Sequence, residues 1–173
     1  MDNNQNLKYS IGFATKEDIP GIVEAYSEWA EFSGILPDDL IRPDTAADLM
    51  PYFDGSNKSR KYLVAKAAGE ILGVCYMDIT YIDLQCIRLG DAIVKVKYRS
   101  KGIGTKAIEE IMKFANEHRV RKIWFWTQQE LSGAIRLYEN RGFVAEGRQT
   151  SQFCGKDAIL YGMVITDKQE FDY

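Results

Sequence analysis

Residues 97–107 read "KYRSKGIGTKA", with two glycines, four cationic side chains and the hydroxyl of Thr105, directly after the apolar stretch "AIVKV" at 92–96. The preceding stretch has the residue types of a strand. From Gly102 onward, Ile103, Ala107, Ile108, Ile111, Met112 and Ala115 form the stripe of an amphipathic helix that ends near His118. A helix therefore begins inside this segment. Its first turn carries backbone N–H groups without intrahelical partners and about half a positive charge, and glycine lets an anion reach them without a Cβ in the way. Arg99, Lys101 and Lys106 add charge at the same end. A tight strand-to-helix turn with positive φ would use the same glycines, so this short motif alone leaves both readings open.

On the N-terminal side, "KYSIGFA" (8–14) predicts a strand and "TKEDIPGIVEAYSEWAEF" (15–32) a helix, with Thr15 as N-cap and Asp18 three residues on. A second helix is expected between Pro37 and Tyr52. "KYLVAKAAGEILGVCYMDITY" (61–81) has two β-rich runs around "AAGE", an antiparallel hairpin, and "CIRLGDAIVKV" (86–96) is a further strand. On the C-terminal side, "KIWFWT" (122–127) predicts a strand and "LSGAIRLYENR" (131–141) a helix stopped by Gly142; "FVAEGRQ" and "AILYGMVI" supply the last two strands. The order βααβββαβαββ implies an α/β (α+β) fold, with a mixed, mostly antiparallel sheet of about seven strands and helices on both faces.

The 173 residues contain no repeat or long linker and are read as a single domain over 1–173, with 1–7 as a disordered tail. No apolar run reaches the roughly 20 residues of a spanning helix, and the polar start "MDNNQNLKYS" is unlike a signal peptide. A cytoplasmic protein without a membrane partner is the default expectation. Cys75, Cys86 and Cys154 are odd in number, without CxxC spacing or a His cluster, so neither a disulfide framework nor a metal site is expected. A net charge of -3 and the lack of a basic-aromatic reader motif argue against nucleic acid. That charge is uneven, with a net of -5 over 27–53, including Glu28, Glu31, Asp44 and Asp48, and +6 over 95–122. Solvated helix faces would give the same pattern.

Three phosphate-binding patterns are candidates for 97–107. A P-loop requires GxxxxGK[ST], but Thr105 follows Gly104 and Arg99 stands where the first glycine belongs. "GIGTKA" fits the GxGxx[GA] dinucleotide fingerprint, yet "KIWFWT" ends in Thr127 without a ribose-binding acid, and hairpins precede the motif. The third pattern holds in register: "VKVKYRSKGIG" resembles the R/Q-x-x-G-x-G/A signature of the GNAT superfamily of N-acetyltransferases, with Arg99, Gly102 and Gly104 in the signature positions. Farther on, "AIRLYENRGF" resembles that family's second block, a helical tyrosine before a Gly-Phe turn.

The resemblance covers residues 8–165 and implies acetyl-CoA as cosubstrate, bound where strands 4 and 5 splay apart. It implies that backbone groups of Val94 and Val96 meet the pantetheine arm, and that Arg99, Lys101, Gly102, Ile103, Gly104 and Thr105 surround the pyrophosphate. Tyr138 would protonate the leaving thiolate, a role open to a phenol with pKa near 10. Its place on the stripe of Leu131, Ala134 and Ile135 is equally that of a core residue. The acceptor ammonium, with pKa about 10.4, must first lose a proton. Asp91 is the first candidate for that base, with Glu28 or Glu31 next, and the Val94 N–H would face the thioester oxygen. Where the family block usually has asparagine, this chain has Leu131; Ser132, Gln129 and Gln128 are possible replacements. His118 is read as a helix C-terminal residue, and Trp124 and Trp126 as sharing one sheet face.

The expected reaction is direct acetyl transfer to a primary amine. The acidic 27–53 segment favours a small cationic molecule over a protein acceptor, and the tail is loosely similar to the branch of phosphinothricin and spermidine acetyltransferases. Alternatives are an acyl-CoA-binding sensor without transfer, or a protein N-terminal or lysine acetyltransferase. Either a monomer or a homodimer is compatible.

Overall fold

The structure, a computed structural model, describes residues 7–32, 35, 44–153 and 155–165. Strand β1 (Ser10–Phe13) leads through a 3-10 turn into α1 (Ile19–Ser27), which passes into a second 3-10 segment at Glu28–Phe32. The predicted single helix over 15–32 is thus a short α-helix flanked by tighter turns. Pro20 sits in its first turn, where a missing N–H costs no helical bond. The Thr15 N–H donates to the Asp18 carboxylate at 2.7 Å, and Lys66 pairs with the same carboxylate at 2.6 Å, so the helix entry is tied to the sheet.

Helix α2 (Ala46–Phe53) starts at Thr45, whose hydroxyl accepts from the Asp48 N–H while its own N–H donates back to Asp48. Of the prolines expected to break or bound a helix between Pro37 and Tyr52, Pro51 lies inside α2, whereas Pro37 and Pro43 lie outside the described residues, as do residues 1–6 of the expected tail and Cys154. Strands β2 (Arg60–Ala67) and β3 (Glu70–Asp78) form the predicted hairpin, and β4 (Cys86–Val94) pairs antiparallel with β3. Next come α3 (Ile103–Glu117), β5 (Lys122–Thr127), α4 (Ser132–Glu139), β6 (Val144–Phe153) and β7 (Lys156–Val164).

The seven strands form one sheet in the order β1-β2-β3-β4-β5-β7-β6. Only β4 and β5 run parallel; α3, the crossover between them, covers the face that buries Ile87, Ile123 and Phe125. On the opposite face, α1 and α2 cover Tyr62, Val64, Val74, Tyr76 and Ile93. This two-sided burial matches the expected mixed fold with helices on both faces.

Candidate active site

Parallel pairing between β4 and β5 is short, running from Cys86–Lys122 to Arg88–Trp124. Beyond that point β4 stays bonded to β3 as far as Val94–Gly73, and β5 to β7 as far as Thr127–Ile159. Each strand is held on its outer side, so the two part between, which is the splay expected from the sequence. A β-bulge assists the parting: the β3–β4 register jumps from Tyr76–Gly90 to Val74–Ile93, leaving Asp91 and Ala92 opposite a single residue. Asp91 takes φ 38°, and the Tyr26 hydroxyl of α1 donates to its carbonyl at 3.1 Å.

The gap opens into a cavity of about 610 Å³. Of the sequence-predicted residues, Val94, Arg99, Gly102, Ile103, Gly104, Thr105 and Tyr138 line it together. Asp91, Val96 and Lys101 are not among its lining residues; Asp91 adjoins it through Ala92. The N–H of Lys95 bonds Leu72 of β3, so the N–H of Val94, the last residue of β4, turns away from β3 towards the gap, while Val96 lies beyond the strand in a 3-10 turn. Lys95 itself is 1% exposed and anchors this strand end through Glu24 at 2.7 Å.

At the opposite wall, Gly102 is the N-cap of α3 with φ 80°, a left-handed conformation that glycine adopts without a Cβ penalty. Gly104 answers a different need, because a Cβ there would stand 2.7 Å from Leu137 Cδ2 and force that side chain to shift. Both glycines therefore have a structural cause, while the N–H groups of Ile103, Gly104 and Thr105 belong to the first turn and point out of the helix. The chain's own acids reach two of the groups expected to hold the pantetheine and pyrophosphate. The Glu28 carboxylate accepts from the Val96 N–H at 2.7 Å. Arg99 donates through Nε to the Val94 carbonyl at 3.0 Å and pairs with Glu31. Glu28 and Glu31, predicted as reserve bases, thus lie against the cofactor-side loop.

Tyr138 projects from α4 onto Phe125 and Phe143, with ring centroids 4.2 and 5.2 Å away, and also lines the cavity. Tyr138 is thus packed on the core and forms part of the cavity wall. Burial pushes its hydroxyl pKa well up, with a smaller push from Cys75, so the phenol is held protonated. Burial likewise pushes the Cys75 thiol up to about 12, which keeps it neutral.

The Asp91 side chain keeps solvent contact at the mouth of the bulge while protein crowds its other sides. Desolvation raises its carboxyl pKa, Asp44 raises it further, and Arg60 and Arg88 pull part of the way back. Among the proposed replacements for the family asparagine, Ser132 lines the cavity beside Leu131, whereas Gln128 and Gln129 do not. His118 stacks on Phe114 at 3.9 Å, and its Nδ1 lies 2.9 Å from the Phe114 carbonyl, an intrahelical role.

Sequence reasoning missed Arg60 and Tyr76, which interact with Asp91 on the α1–α2 face of the sheet, and Tyr52 of α2, whose ring packs against Arg60. The alternation of Arg60 with Tyr62 was a signal, but only strand pairing reveals which residues join them. Among the described residues no group of His, Cys, Asp or Glu gathers as a metal site, and no helix is long and apolar enough to cross a membrane.

The Acetyltransferase (GNAT) family model matches residues 23–143. A search of the curated proteins finds no match. Among solved structures, the GNAT-family acetyltransferase from Streptococcus pneumoniae is 21% identical, with 92% of this chain and 100% of that one covered at a TM-score of 0.75. The ribosomal-protein-S18-alanine N-acetyltransferase from Escherichia coli is 16% identical, covering 96% and 99% at 0.74. The PaiA N-acetyltransferase from Thermoplasma acidophilum, in complex with coenzyme A, is 18% identical, covering 91% and 99% at 0.72. These likenesses speak for the fold. The family match runs from α1 to the turn after α4, so it takes in the parted strands, the glycine turn and the Tyr138 helix; the protein belongs to the GNAT acetyltransferase family, which works with acetyl-CoA.

Proposed function

We propose that the protein transfers the acetyl group of acetyl-CoA directly to a primary amine of a small molecule, without an acyl-enzyme. The observation that carries this reading is the cavity between β4 and β5, with the first turn of α3 at one wall and Tyr138 at another. Bound acetyl-CoA supplies the acyl group as a thioester. The α3 amides from Ile103 to Thr105, with Gly102, Arg99 and Lys101, hold its pyrophosphate. The gap-facing backbone of Val94, with that of Val96 just beyond it, holds the arm. Arg99 and the Val96 N–H must exchange Glu31 and Glu28 for the cofactor, so those two acids compete with it.

Asp91 takes the proton of the acceptor ammonium, directly or through water, and its raised pKa brings it closer to a base's working range. As the N–C bond forms, the Val94 N–H meets the charge developing on the thioester oxygen. As the C–S bond breaks, Tyr138 gives its proton to the sulfur. A phenol held protonated by burial is suited to that step.

The acidic 27–53 segment lends a cationic acceptor little support. Among the described acids of 27–53, Glu28 and Glu31 face the cofactor loop and Asp48 caps α2. The test is thiol release from acetyl-CoA with a panel of small amines, for the wild type and Tyr138→Phe. The variant is expected to lose about 10²–10⁴-fold in kcat while its affinity for coenzyme A stays close to normal. Equal turnover by both proteins would remove Tyr138 from the mechanism, and binding without any thiol release would favour a sensor.

A further inference from the structure

We infer that the acceptor amine also carries a carboxylate, as an amino acid does, and that Arg60 is the residue that holds it; the inference rests on the transferase reading above. On the α1–α2 face of the sheet, one row of cross-strand neighbours runs Arg60, Asp78, Arg88, Trp124, and the next runs Tyr62, Tyr76, Gly90. The side chains form an alternating ladder of rings and guanidiniums. Arg60 lies 4.8 Å from the Tyr52 ring and 4.3 Å from the Tyr76 ring, and Arg88 lies 5.7 Å from Tyr76 and 5.4 Å from Trp126.

The two arginines differ in one respect. Arg88 donates to the Asp78 carboxylate at 2.9 Å and to the Tyr76 hydroxyl at 3.3 Å. Arg60 is partly buried between its two rings and makes no ion pair with any carboxylate among the described residues. A guanidinium presents five donors in a planar fork suited to a carboxylate. Two further donors on this face are buried: the Tyr62 hydroxyl, whose residue is 3% exposed and which interacts with Arg60, and the Trp126 indole N–H, which has no hydrogen-bond partner among the described residues. Surplus donors of this kind call for a ligand rich in acceptors.

Carboxylates gather close by. Asp91 interacts electrostatically with Asp44 as well as with Arg60 and Arg88. This face of the sheet therefore has a donor end at Arg60 and an acid end at Asp91 and Asp44, which complements a zwitterion. A diamine lying the same way would bring its second ammonium against Arg60.

The experiment measures thiol release from acetyl-CoA for each proteinogenic L-amino acid, for its carboxamide, and for putrescine and spermidine. Wild type, Arg60→Met and Arg60→Lys are compared. Binding of the N-acetyl amino acids and their carboxamides to the same proteins in the presence of coenzyme A is measured alongside. In the wild type, the best carboxylate acceptor is expected to exceed its carboxamide by about tenfold or more in kcat/KM. That ratio should fall towards one in Arg60→Met, mainly through KM. Arg60→Lys keeps the charge and the ring contacts but not the fork; should Arg60→Met not fold, the loss of carboxylate preference in a folded Arg60→Lys carries the test.

Wild-type preference for carboxamides or diamines, or equal losses on both members of a pair, overturns the inference and leaves the transferase reading in place. Arg60-dependent binding of carboxylates with no thiol release does the reverse. Neither release nor Arg60-dependent binding overturns both.

Discussion

Asp91 combines three properties that rarely meet in a sheet: a left-handed backbone, a raised carboxyl pKa and a place at the mouth of a bulge. The bulge turns its side chain out of the ladder of strand pairs, and the Tyr26 hydroxyl holds its carbonyl. In the proposed role of base it must be ionised, so the rate should fall on the acid side with an apparent pKa above the ordinary carboxylate value. Asp91→Asn should lower kcat/KM by about 10²–10⁴-fold and remove that acid limb. A pH–rate profile of both proteins with one amine checks this, and an unchanged limb in the variant would assign it elsewhere. Sequence placed Asp91 on a strand near the site, but its environment comes from Asp44, Arg60 and Arg88, which only folding brings near it.

The N-terminus of α3 depends on the conformation of the residue before it. Gly102 sits at φ 80°, where an L side chain costs about 1–2 kcal/mol, while the space around it is open enough that a Cβ would meet only Tyr9 Oη at 3.5 Å. Gly102→Ala is therefore a test of backbone conformation more than of packing. It should lower the melting temperature by about 2–4 °C per kcal/mol lost and weaken acetyl-CoA binding by loosening the first turn. Gly102→Asn should lose less, since asparagine tolerates the left-handed region. Thermal unfolding with and without acetyl-CoA separates the two effects, and an alanine variant as stable as wild type would contradict the assigned cause. The helix start and its glycine were legible in the sequence; that Gly104 makes room for Leu137 was not, since α4 lies on a later segment.

Across the whole molecule, Glu70 ties the start of β3 to the segment before α3. Hydrogen bonds from Lys97, then Tyr98 and Lys95, hold its carboxyl pKa down to about 2, against an ordinary value of 4.5. A carboxylate depressed in this way stabilises the fold fully above its ordinary pKa and loses that contribution as pH falls through its folded value. The urea midpoint should therefore decline between about pH 4.5 and 2. Glu70→Gln should be less stable at neutral pH and decline less over the same interval, as denaturation curves at several pH values would show. Parallel declines would remove Glu70 from the acid response.

What the sequence determined by itself was whatever a few neighbouring residues encode: the order βααβββαβαββ, the glycine that starts α3, its basic surroundings and a tyrosine on the following helix. Periodicity, capping and φ preference act within a turn or two, so they can be read along the chain. Tertiary structure alone decided how β4 and β5 part, which acids lean on the cofactor loop, and how Arg60, Tyr76, Arg88 and Trp126 line up across four strands. Those arrangements follow from strand register and from which face each side chain occupies, and they join residues whose separation along the chain leaves no local trace.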